Sequence, residues 1–221
     1  MVEQSGTALL LEQICNHHED KIMPLGAFKA ALMGTAGVST GDVVLLDTNN
    51  ITSGVASSAF TSGITSTYSS YIFKFYNIHP ATDGADGFRF QVSIDGGSNY
   101  NVACTTTFFR TYHDEADNET SLAYNADYDQ IDSDQAYQAL TTNVGNANDE
   151  NCSGELHLFN PSSTTYVKHF HSNTITIQSN EYVGNGHAAG YFNTTSAVNA
   201  ISFKMGSGNI DAGKIKMWGV K

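Results

Sequence analysis

The sequence predicts an all-β protein, a jelly-roll-like antiparallel β-sandwich with a short N-terminal helical arm. The composition is the first reason: 14% of the 221 residues are charged, and the chain holds 20 glycines but 3 prolines. Such a composition is typical of short strands joined by polar turns. The second reason is that apolar and polar residues alternate with period two along much of the chain after residue 40. Helical spacing is confined to residues 5–33.

The N-terminal segment has the three- and four-residue spacing of amphipathic helices. Pro24 divides it, so two short helices are expected, followed by a boundary near Thr40 in a run of serine, threonine and glycine. The predicted domains are therefore a helical arm, residues 1–40, and a β-sandwich, residues 41–221. The arm is expected to pack on its own domain or a sister subunit, or to dock the domain onto a larger assembly. The apolar side chains available for docking or oligomerisation are Leu10, Ile14, Leu25, Phe28 and Leu32.

Alternation and turn residues place the strands of the sandwich. Tyr71, Phe73 and Phe75 share one face of a strand, and residues 88–94 repeat this pattern. The turn residues 95–99 then predict a hairpin into a strand at 100–104. About eight to ten strands are expected. Further candidate segments lie at residues 42–47, 55–60, 108–112, 136–142, 154–159, 166–171, 174–178 and 188–192.

The end of the chain predicts a closing β-hairpin. Ile201 and Phe203 share one face of its first strand, and residues 215–220 alternate in the same way in its second. Glycine, serine and asparagine in residues 206–213 supply the turn between the two strands. One face of each strand is expected to be buried.

The charge balance argues against two classes of partner. Twenty-two acidic and ten basic residues give a net charge of −12, which repels nucleic-acid phosphates and anionic lipid. No apolar run approaches the ~20 residues that cross a bilayer, and the first residues lack the basic start of a signal peptide. We expect no nucleic-acid partner, no membrane insertion and assembly in the cytoplasm.

The three cysteines, Cys15, Cys104 and Cys152, are odd in number and widely spaced. They form no Cys-x-x-Cys pair, so they indicate neither a disulfide framework nor a zinc site. We expect buried free thiols.

An acidic stretch at residues 113–134 predicts a long exposed loop. Hard oxygen ligands clustered in a loop are what calcium requires. The spacing misses the EF-hand pattern and the glycine of its turn, so a solvated acidic loop is the main expectation and a calcium site the alternative. The candidate calcium ligands are Asp127, Asp129, Asp132 and Asp134.

Three histidines are candidates for a shared site. His169 and His171 are two residues apart and lie on one face of a strand, while His157 is expected on a neighbouring strand. A three-imidazole metal site is one interpretation. A row of histidines on a solvated sheet face or at a subunit contact is the other, and it is the one we expect.

No catalytic motif is present in the sequence. No Gly-x-Ser-x-Gly elbow follows a predicted strand, since Gly37-Val-Ser-Thr-Gly41 comes after the helical segment, and a phosphate-binding Walker loop and a Gly-x-Gly-x-x-Gly turn are absent. We therefore expect a protein that is not an enzyme and holds no cofactor. Exposed aromatic rings are the remaining route to ligand binding, because they stack on sugar rings. The sugar-stacking candidates are Tyr124, Tyr128 and Trp218, although Trp218 also suits cross-strand packing or an intersubunit contact.

Six blocks of sequence, taken in order, resemble the virion structural proteins of marine bacteriophages of the cyanophage and pelagiphage kind. The resemblance extends over roughly residues 68–221 and is weaker before them. The blocks are Ile78-His-Pro-Ala-Thr-Asp-Gly84, Phe90-Gln-Val-Ser-Ile-Asp-Gly-Gly-Ser-Asn-Tyr100, Tyr112-His-Asp-Glu-Ala-Asp117, Leu156-His-Leu-Phe-Asn-Pro-Ser-Ser-Thr-Thr-Tyr166, Gly190-Tyr-Phe-Asn-Thr-Thr-Ser196 and the last two dozen residues.

This resemblance implies a non-enzymatic component of the virion, assembled in the host bacterial cytoplasm. Its members are similar to tail fibre, spike or capsid decoration proteins. The N-terminal part would attach to other proteins of the tail or capsid and expose the β-sandwich, and a homotrimer is expected for a fibre or a three-fold capsid site. The alternative function is a receptor- or carbohydrate-binding module that recognises host surface glycans during attachment.

Overall fold

The computed structural model describes residues 41–132 and 134–221. The predicted helical arm lies outside these residues, and so do Cys15 and the docking candidates Leu10, Ile14, Leu25, Phe28 and Leu32. The described part is built from strands without a helix, and it contains no helical segment long and apolar enough to span a membrane.

Twelve strands form in the described part of the chain. They are β1 (Val43–Ile51), β2 (Ser58–Phe60), β3 (Ser70–Pro80), β4 (Phe88–Ser93), β5 (Cys104–Asp114), β6 (Thr120–Tyr124), β7 (Gln138–Ala139), β8 (Cys152–Phe159), β9 (Lys168–Ile177), β10 (Tyr182–Phe192), β11 (Ala200–Met205) and β12 (Ile210–Val220).

The strands form two antiparallel sheets. An eight-stranded sheet has the order β1-β12-β3-β8-β9-β10-β5-β6, and a four-stranded sheet has the order β2-β11-β4-β7. The chain crosses between the sheets at several connections, among them β3 to β4 and β10 to β11. The all-β class and the jelly-roll-like sandwich are therefore confirmed, with sheets of unequal width.

The core lies between the sheets and is dominated by phenylalanine. Phe203 of β11 packs on Phe75 of β3 with ring centroids 5.3 Å apart, and on Phe88 of β4 at 5.7 Å. Phe90 of β4 meets Phe170 of β9 edge to face at 4.9 Å. These rings are almost fully removed from solvent. Burying each aromatic side chain contributes roughly 1.5–3 kcal/mol, so this layer is the main source of stability.

The four-stranded sheet is buried at its centre on the outward face as well as on the core face. On the face away from the core, Gln91 and Ser202 are 0% and 1% exposed. The Gln91 side-chain amide donates hydrogen bonds to the backbone carbonyls of Val102 (3.1 Å) and Ala136 (2.9 Å). Two segments of the chain thus cover this sheet, which explains why β11 is buried along nearly its whole length.

The predicted closing hairpin is wrong, although the alternation within its strands is right. Strand β11 belongs to the four-stranded sheet and β12 to the eight-stranded sheet, so residues 206–209 cross the sandwich. Within β12, Ile215 and Met217 are buried as expected. The turn residues specify a reversal of the chain but not the sheet that receives the next strand.

The predicted hairpin at residues 95–99 fails for the same reason. Strand β4 lies in the four-stranded sheet, and the next strand, β5, begins at Cys104 in the other one. Gly96 and Gly97 do form a turn, with φ of 75° and 91°. Ile94, expected on the core face, is 43% exposed.

The acidic stretch at residues 113–134 is only partly a loop. It contains β6, which pairs with β5 so that Leu122 lies opposite Thr111. Its later part runs beside the start of β5, where the backbone N–H of Thr106 donates to the carbonyl of Gln130 at 3.0 Å. The expectation of one long solvated loop is therefore wrong, because parts of this segment hydrogen-bond to β5 at the edge of the eight-stranded sheet.

Candidate functional site

The eight-stranded sheet has an outer face, defined as its side chains that point away from the core. Successive side chains along a strand point to opposite faces of the sheet. Leu156 and Phe170 are buried in the core, so their neighbours His157 and His171 point outward. Most exposed large hydrophobic side chains of the described chain lie on this outer face. They are Val43, Leu45, Tyr76, Phe109, Leu122, Tyr124, Phe159, Ile175 and Val183.

Stacked aromatic and imidazole rings run across the middle of the outer face. His157 of β8 lies opposite His171 of β9, and their rings stack with centroids 4.7 Å apart at 14°. The Phe159 ring lies 5.6 Å from the His171 ring. One strand pair further on, Phe109 stacks on His187 at 4.8 Å. Side chains from neighbouring strands therefore form a flat layer of rings.

The histidines form a row and do not converge. His169 contacts Tyr191, with ring centroids 6.1 Å apart, rather than the His157–His171 pair. Across residues 41–132 and 134–221, no three histidine, cysteine or acidic side chains are grouped to hold a metal ion. The arrangement matches the expected row of histidines on a sheet face.

At the centre of the outer face, one carboxylate is paired with two basic side chains. Glu155 Oε2 lies 3.4 Å from Lys74 Nζ, and its Oε1 lies 3.2 Å from His157 Nε2. Partial burial raises the pKa of Glu155, but the hydrogen bond and charge of His157, together with Lys74, outweigh it and leave the pKa below its ordinary value. For His171, burial and the neighbouring His157 lower the pKa.

The outer face is poor in carboxylates although the protein is strongly acidic. Strands β3, β8, β9 and β10 contain a single acidic residue, Glu155. Lys74, Lys214 and Lys216 add positive charge on β3 and β12. The central strands of the outer face thus carry little of the negative charge found elsewhere on the molecule.

The structure separates the three sugar-stacking candidates. Trp218 lies in β12 between Leu45 and Ile72, and its indole N–H is buried without a hydrogen-bond partner in the described residues. Tyr124 lies on β6, at the opposite edge of the same sheet. Tyr128 packs against the core and is hydrogen-bonded through its hydroxyl to Asp86 at 3.1 Å. They form no common platform for a sugar.

The four calcium candidates also point to separate partners. The Asp129 carboxylate accepts a hydrogen bond from the hydroxyl of Tyr124. Asp132 accepts one from the side-chain amide of Asn193. Asp134 accepts one from a backbone N–H in its own turn. Asp127 makes no side-chain bond with them in the described part. The calcium site stays a prediction without support from this geometry.

Buried glutamines under the acidic segment are features that the sequence did not single out. Gln138 Nε2 donates to the carbonyl of Tyr128 at 2.9 Å, and its Oε1 accepts the hydroxyl of Thr106 at 2.6 Å. Gln130 Oε1 accepts the Cys104 thiol at 3.0 Å. An isolated glutamine in a polar stretch carries no sequence signal of burial, because burial here depends on the packing of distant segments.

Two of the three thiols are described, and both are buried and free. Burial raises the pKa of Cys104 and of Cys152 to about 12. A thiol with so high a pKa stays protonated and reacts slowly. The expectation of buried free thiols is confirmed for these two.

Comparison of the chain with models of protein families, with curated proteins and with solved structures finds no match. Fold and outer face together define a β-sandwich in which the centre of the four-stranded sheet is covered by its own chain, while the eight-stranded sheet carries most of the exposed large hydrophobic side chains of the described residues. The bacteriophage resemblance rests on the sequence blocks alone.

Proposed function

We propose that this chain is a non-enzymatic structural protein of a bacteriophage particle, a tail fibre, spike or capsid decoration protein that assembles with copies of itself through the outer face. The observation that supports assembly is the contrast between the two sheets. On the outward side of the four-stranded sheet, Gln91, Ser93 and Ser202 are buried under the chain's own segments, whereas Leu45 and Ile175 of the eight-stranded sheet are 44% and 55% exposed.

The size of the outer face suits a stable interface. Eight strands at a spacing of ~4.8 Å span about 34 Å, and a strand of eleven residues such as β3 is about 36 Å long. Because some of the strands are shorter, down to five residues in β6, the sheet covers roughly 1,000 Å², which exceeds the ~800 Å² that each partner buries in a typical stable complex. Exposed apolar patches beyond a few hundred Å² mark interaction sites in soluble proteins.

The charge distribution favours a second copy of the same chain as the partner. Copies of a protein with a net charge of −12 repel one another at most approaches. The central strands of the outer face are the exception, because Glu155 is their only carboxylate and is paired with Lys74. Self-association is therefore least opposed at the surface with the most exposed apolar side chains.

The place of this assembly in a virion is supported by the ordered sequence blocks. We propose a homotrimer, since closed cyclic symmetry keeps the assembly finite and suits a fibre or a three-fold capsid site. Attachment to other proteins of the tail or capsid is assigned to the N-terminal arm. Particle assembly is proposed to take place in the cytoplasm of the bacterial host.

Sedimentation of the purified full-length chain tests the assembly. The trimer is expected to dissociate when a carboxylate is placed on the outer face by Ile175→Asp or Leu45→Asp. Ile131→Asp is the matched control, because Ile131 is 65% exposed but lies in the acidic segment away from the outer face. Loss of the trimer in both outer-face variants, with the control unchanged and all variants folded by circular dichroism, is the expected result. A wild-type chain that sediments as a monomer at high concentration would contradict the proposal.

The location of the chain in the virion is tested by labelling purified bacteriophage particles with a gold-conjugated antibody against it. Label at the tail or on the capsid supports a virion protein and distinguishes a fibre from a decoration protein. Absence of the chain from purified particles, by labelling and by mass spectrometry, would exclude the virion function while leaving the assembly test unaffected.

A further inference from the structure

An aromatic cleft lies where β8 ends and β9 begins, at the margin of the eight-stranded sheet. Its volume of about 480 Å³ falls within the ~300–1,000 Å³ typical of ligand sites. Tyr166 is 71% exposed and Phe159 is 38% exposed. We define the aromatic cleft by its lining residues Phe159, Asn160, Thr165, Tyr166, Val167, His169 and Thr195.

The polar side chains of the aromatic cleft are free to bind a ligand. Within the described part of the chain, the side chains of Asn160, Thr165, Tyr166, His169 and Thr195 make no hydrogen bond, in contrast to the many paired polar side chains elsewhere. The site therefore combines three flat rings with hydroxyl, amide and imidazole groups. Sugars require this combination, because their C–H faces stack on rings and their hydroxyls need donors and acceptors.

The backbone around the aromatic cleft is held in place from within. Lys168 is fully buried, and its ammonium group donates to the carbonyls of Tyr166 (2.7 Å) and Thr194 (3.0 Å). The Ser163 hydroxyl oxygen accepts the backbone N–H of Tyr166 at 3.1 Å. The two walls of the cleft are thus tied together, so a ligand meets a formed site and loses less free energy to ordering.

We propose that the aromatic cleft binds a neutral oligosaccharide, with Tyr166 and Phe159 stacking on sugar rings and Asn160, Thr165 and Thr195 bonding to hydroxyls. The ligand is neutral because the cleft presents no cationic side chain other than the imidazole of His169, and the net charge of −12 repels polyanions. Phe159 and His169 also belong to the outer face, whereas Tyr166 and Thr195 lie in loops outside its strands, so sugar binding requires that self-association leave this margin of the eight-stranded sheet open.

Titration calorimetry and saturation-transfer NMR on the full-length chain test the proposal. The probes are neutral gluco-, galacto- and manno-oligosaccharides, with an oligogalacturonate as the anionic comparison. At least one neutral probe is expected to bind, with saturation transfer to its ring protons, and the anionic probe is expected not to bind. Failure of every neutral probe to bind, or preferential binding of the anionic probe, would overturn the proposal.

Variants of Tyr166 locate the binding. Tyr166→Ala is expected to weaken binding of the neutral probe at least about tenfold, the effect of one lost aromatic contact. Tyr166→Phe keeps the ring and is expected to stay within about threefold of wild type. Tyr124→Ala is the matched control, because Tyr124 is a 58% exposed tyrosine on a distant strand. Equal affinity in Tyr166→Ala and wild type would exclude the cleft.

Ile175→Asp distinguishes the two proposals. This variant is designed to disrupt assembly without altering the aromatic cleft. It is expected to bind the neutral probe with wild-type affinity per chain. Loss of binding in Ile175→Asp, with Tyr166→Ala unaffected, would place the ligand on the outer face and contradict the cleft assignment.

Discussion

The imidazole of His157 stacks on the imidazole of His171 from the neighbouring strand, with ring centroids 4.7 Å apart. The pair lies at the centre of the outer face, beside Glu155 and Lys74. Burial and the neighbouring His157 lower the pKa of His171, so protonation of His171 is disfavoured within the surface proposed for self-association.

The His171 pair predicts a pH dependence of stability. The pKa of His171 is lowered in the folded protein by burial and by His157, so the unfolded chain binds more protons between that lowered pKa and the ordinary value near 6.5. The free energy of unfolding is therefore expected to fall as the pH drops through about 6.5 and below. Because His171 is exposed at the surface, solvent screening keeps this contribution below about 1 kcal/mol.

Urea unfolding of wild type and His171→Gln at pH 7.5 and pH 5.0 measures this effect. The variant is expected to lose less stability between the two pH values than wild type. His113→Gln serves as control, since His113 lies elsewhere on the sheet beside Asp117. An equal loss of stability in wild type and His171→Gln would contradict the prediction.

Gln91 is predicted to hold the covering segment on the four-stranded sheet. Its buried amide donates to the carbonyls of Val102, Gln135 and Ala136. Gln91→Leu leaves these carbonyls without a donor and is expected to lower the free energy of unfolding by about 1–3 kcal/mol. Gln135→Leu, at an exposed position of the same segment, is expected to change it by less than about 0.5 kcal/mol. Urea unfolding and limited proteolysis at the acidic segment measure both.

Gly87 is predicted to be intolerant of any side chain. Its φ is +72°, and an added Cβ would collide with the backbone carbonyl of Thr141. Gly96 has a similar φ of +75° but open space around it. Both substitutions by alanine add backbone strain of about 1 kcal/mol or more, but Gly87→Ala adds the collision. In thermal unfolding, Gly87→Ala is expected to be clearly less stable than Gly96→Ala, and equal midpoints would contradict this.

Lys168 is predicted to be a positioning residue for the aromatic cleft. Lys168→Met removes the donor to the carbonyls of Tyr166 and Thr194, with an expected loss of about 1–3 kcal/mol in stability. It is also expected to weaken oligosaccharide binding although it removes no group that faces the ligand. Lys74→Met, at an exposed lysine, is the control. If the folded Lys168→Met variant bound the oligosaccharide with wild-type affinity, the aromatic cleft would not depend on the hydrogen bonds of Lys168.

Local pattern predicted the strands well because side-chain alternation is a property of the strand itself. Tyr71, Phe73 and Phe75 are buried as their period-two spacing predicts, and so are Ile215 and Met217. The separate strands expected at 166–171 and 174–178 form one strand, β9. The polar residues between them take part in the continuous pairing of β9 with β10.

Sheet membership could not be predicted in the same way. The turns after β4 and β11 were recognised, but the strands that follow them join the opposite sheet. A glycine-rich turn permits a reversal in either direction, and the choice depends on which sheet edge is free once the core has packed. Strand β6 was missed because its sequence, Thr120–Tyr124, sits in an acidic context and pairs only with β5.

The candidate sites were predicted less well than the fold. The histidine row on β8 and β9 was expected, since it follows from spacing along two strands. Tyr166 was not singled out, because the aromatic cleft exists only where residues 160–167 meet Thr195 in three dimensions. Nothing in the local sequence of Lys168 indicated that a lysine would be fully buried.

The most direct test of the central claim is an electron cryo-microscopy reconstruction of the purified full-length assembly. We predict three copies related by a three-fold axis, with the outer faces in contact and with His157 and His171 at the subunit boundary. A single copy, or an oligomer in which the outer faces are open to solvent, would contradict the proposed assembly.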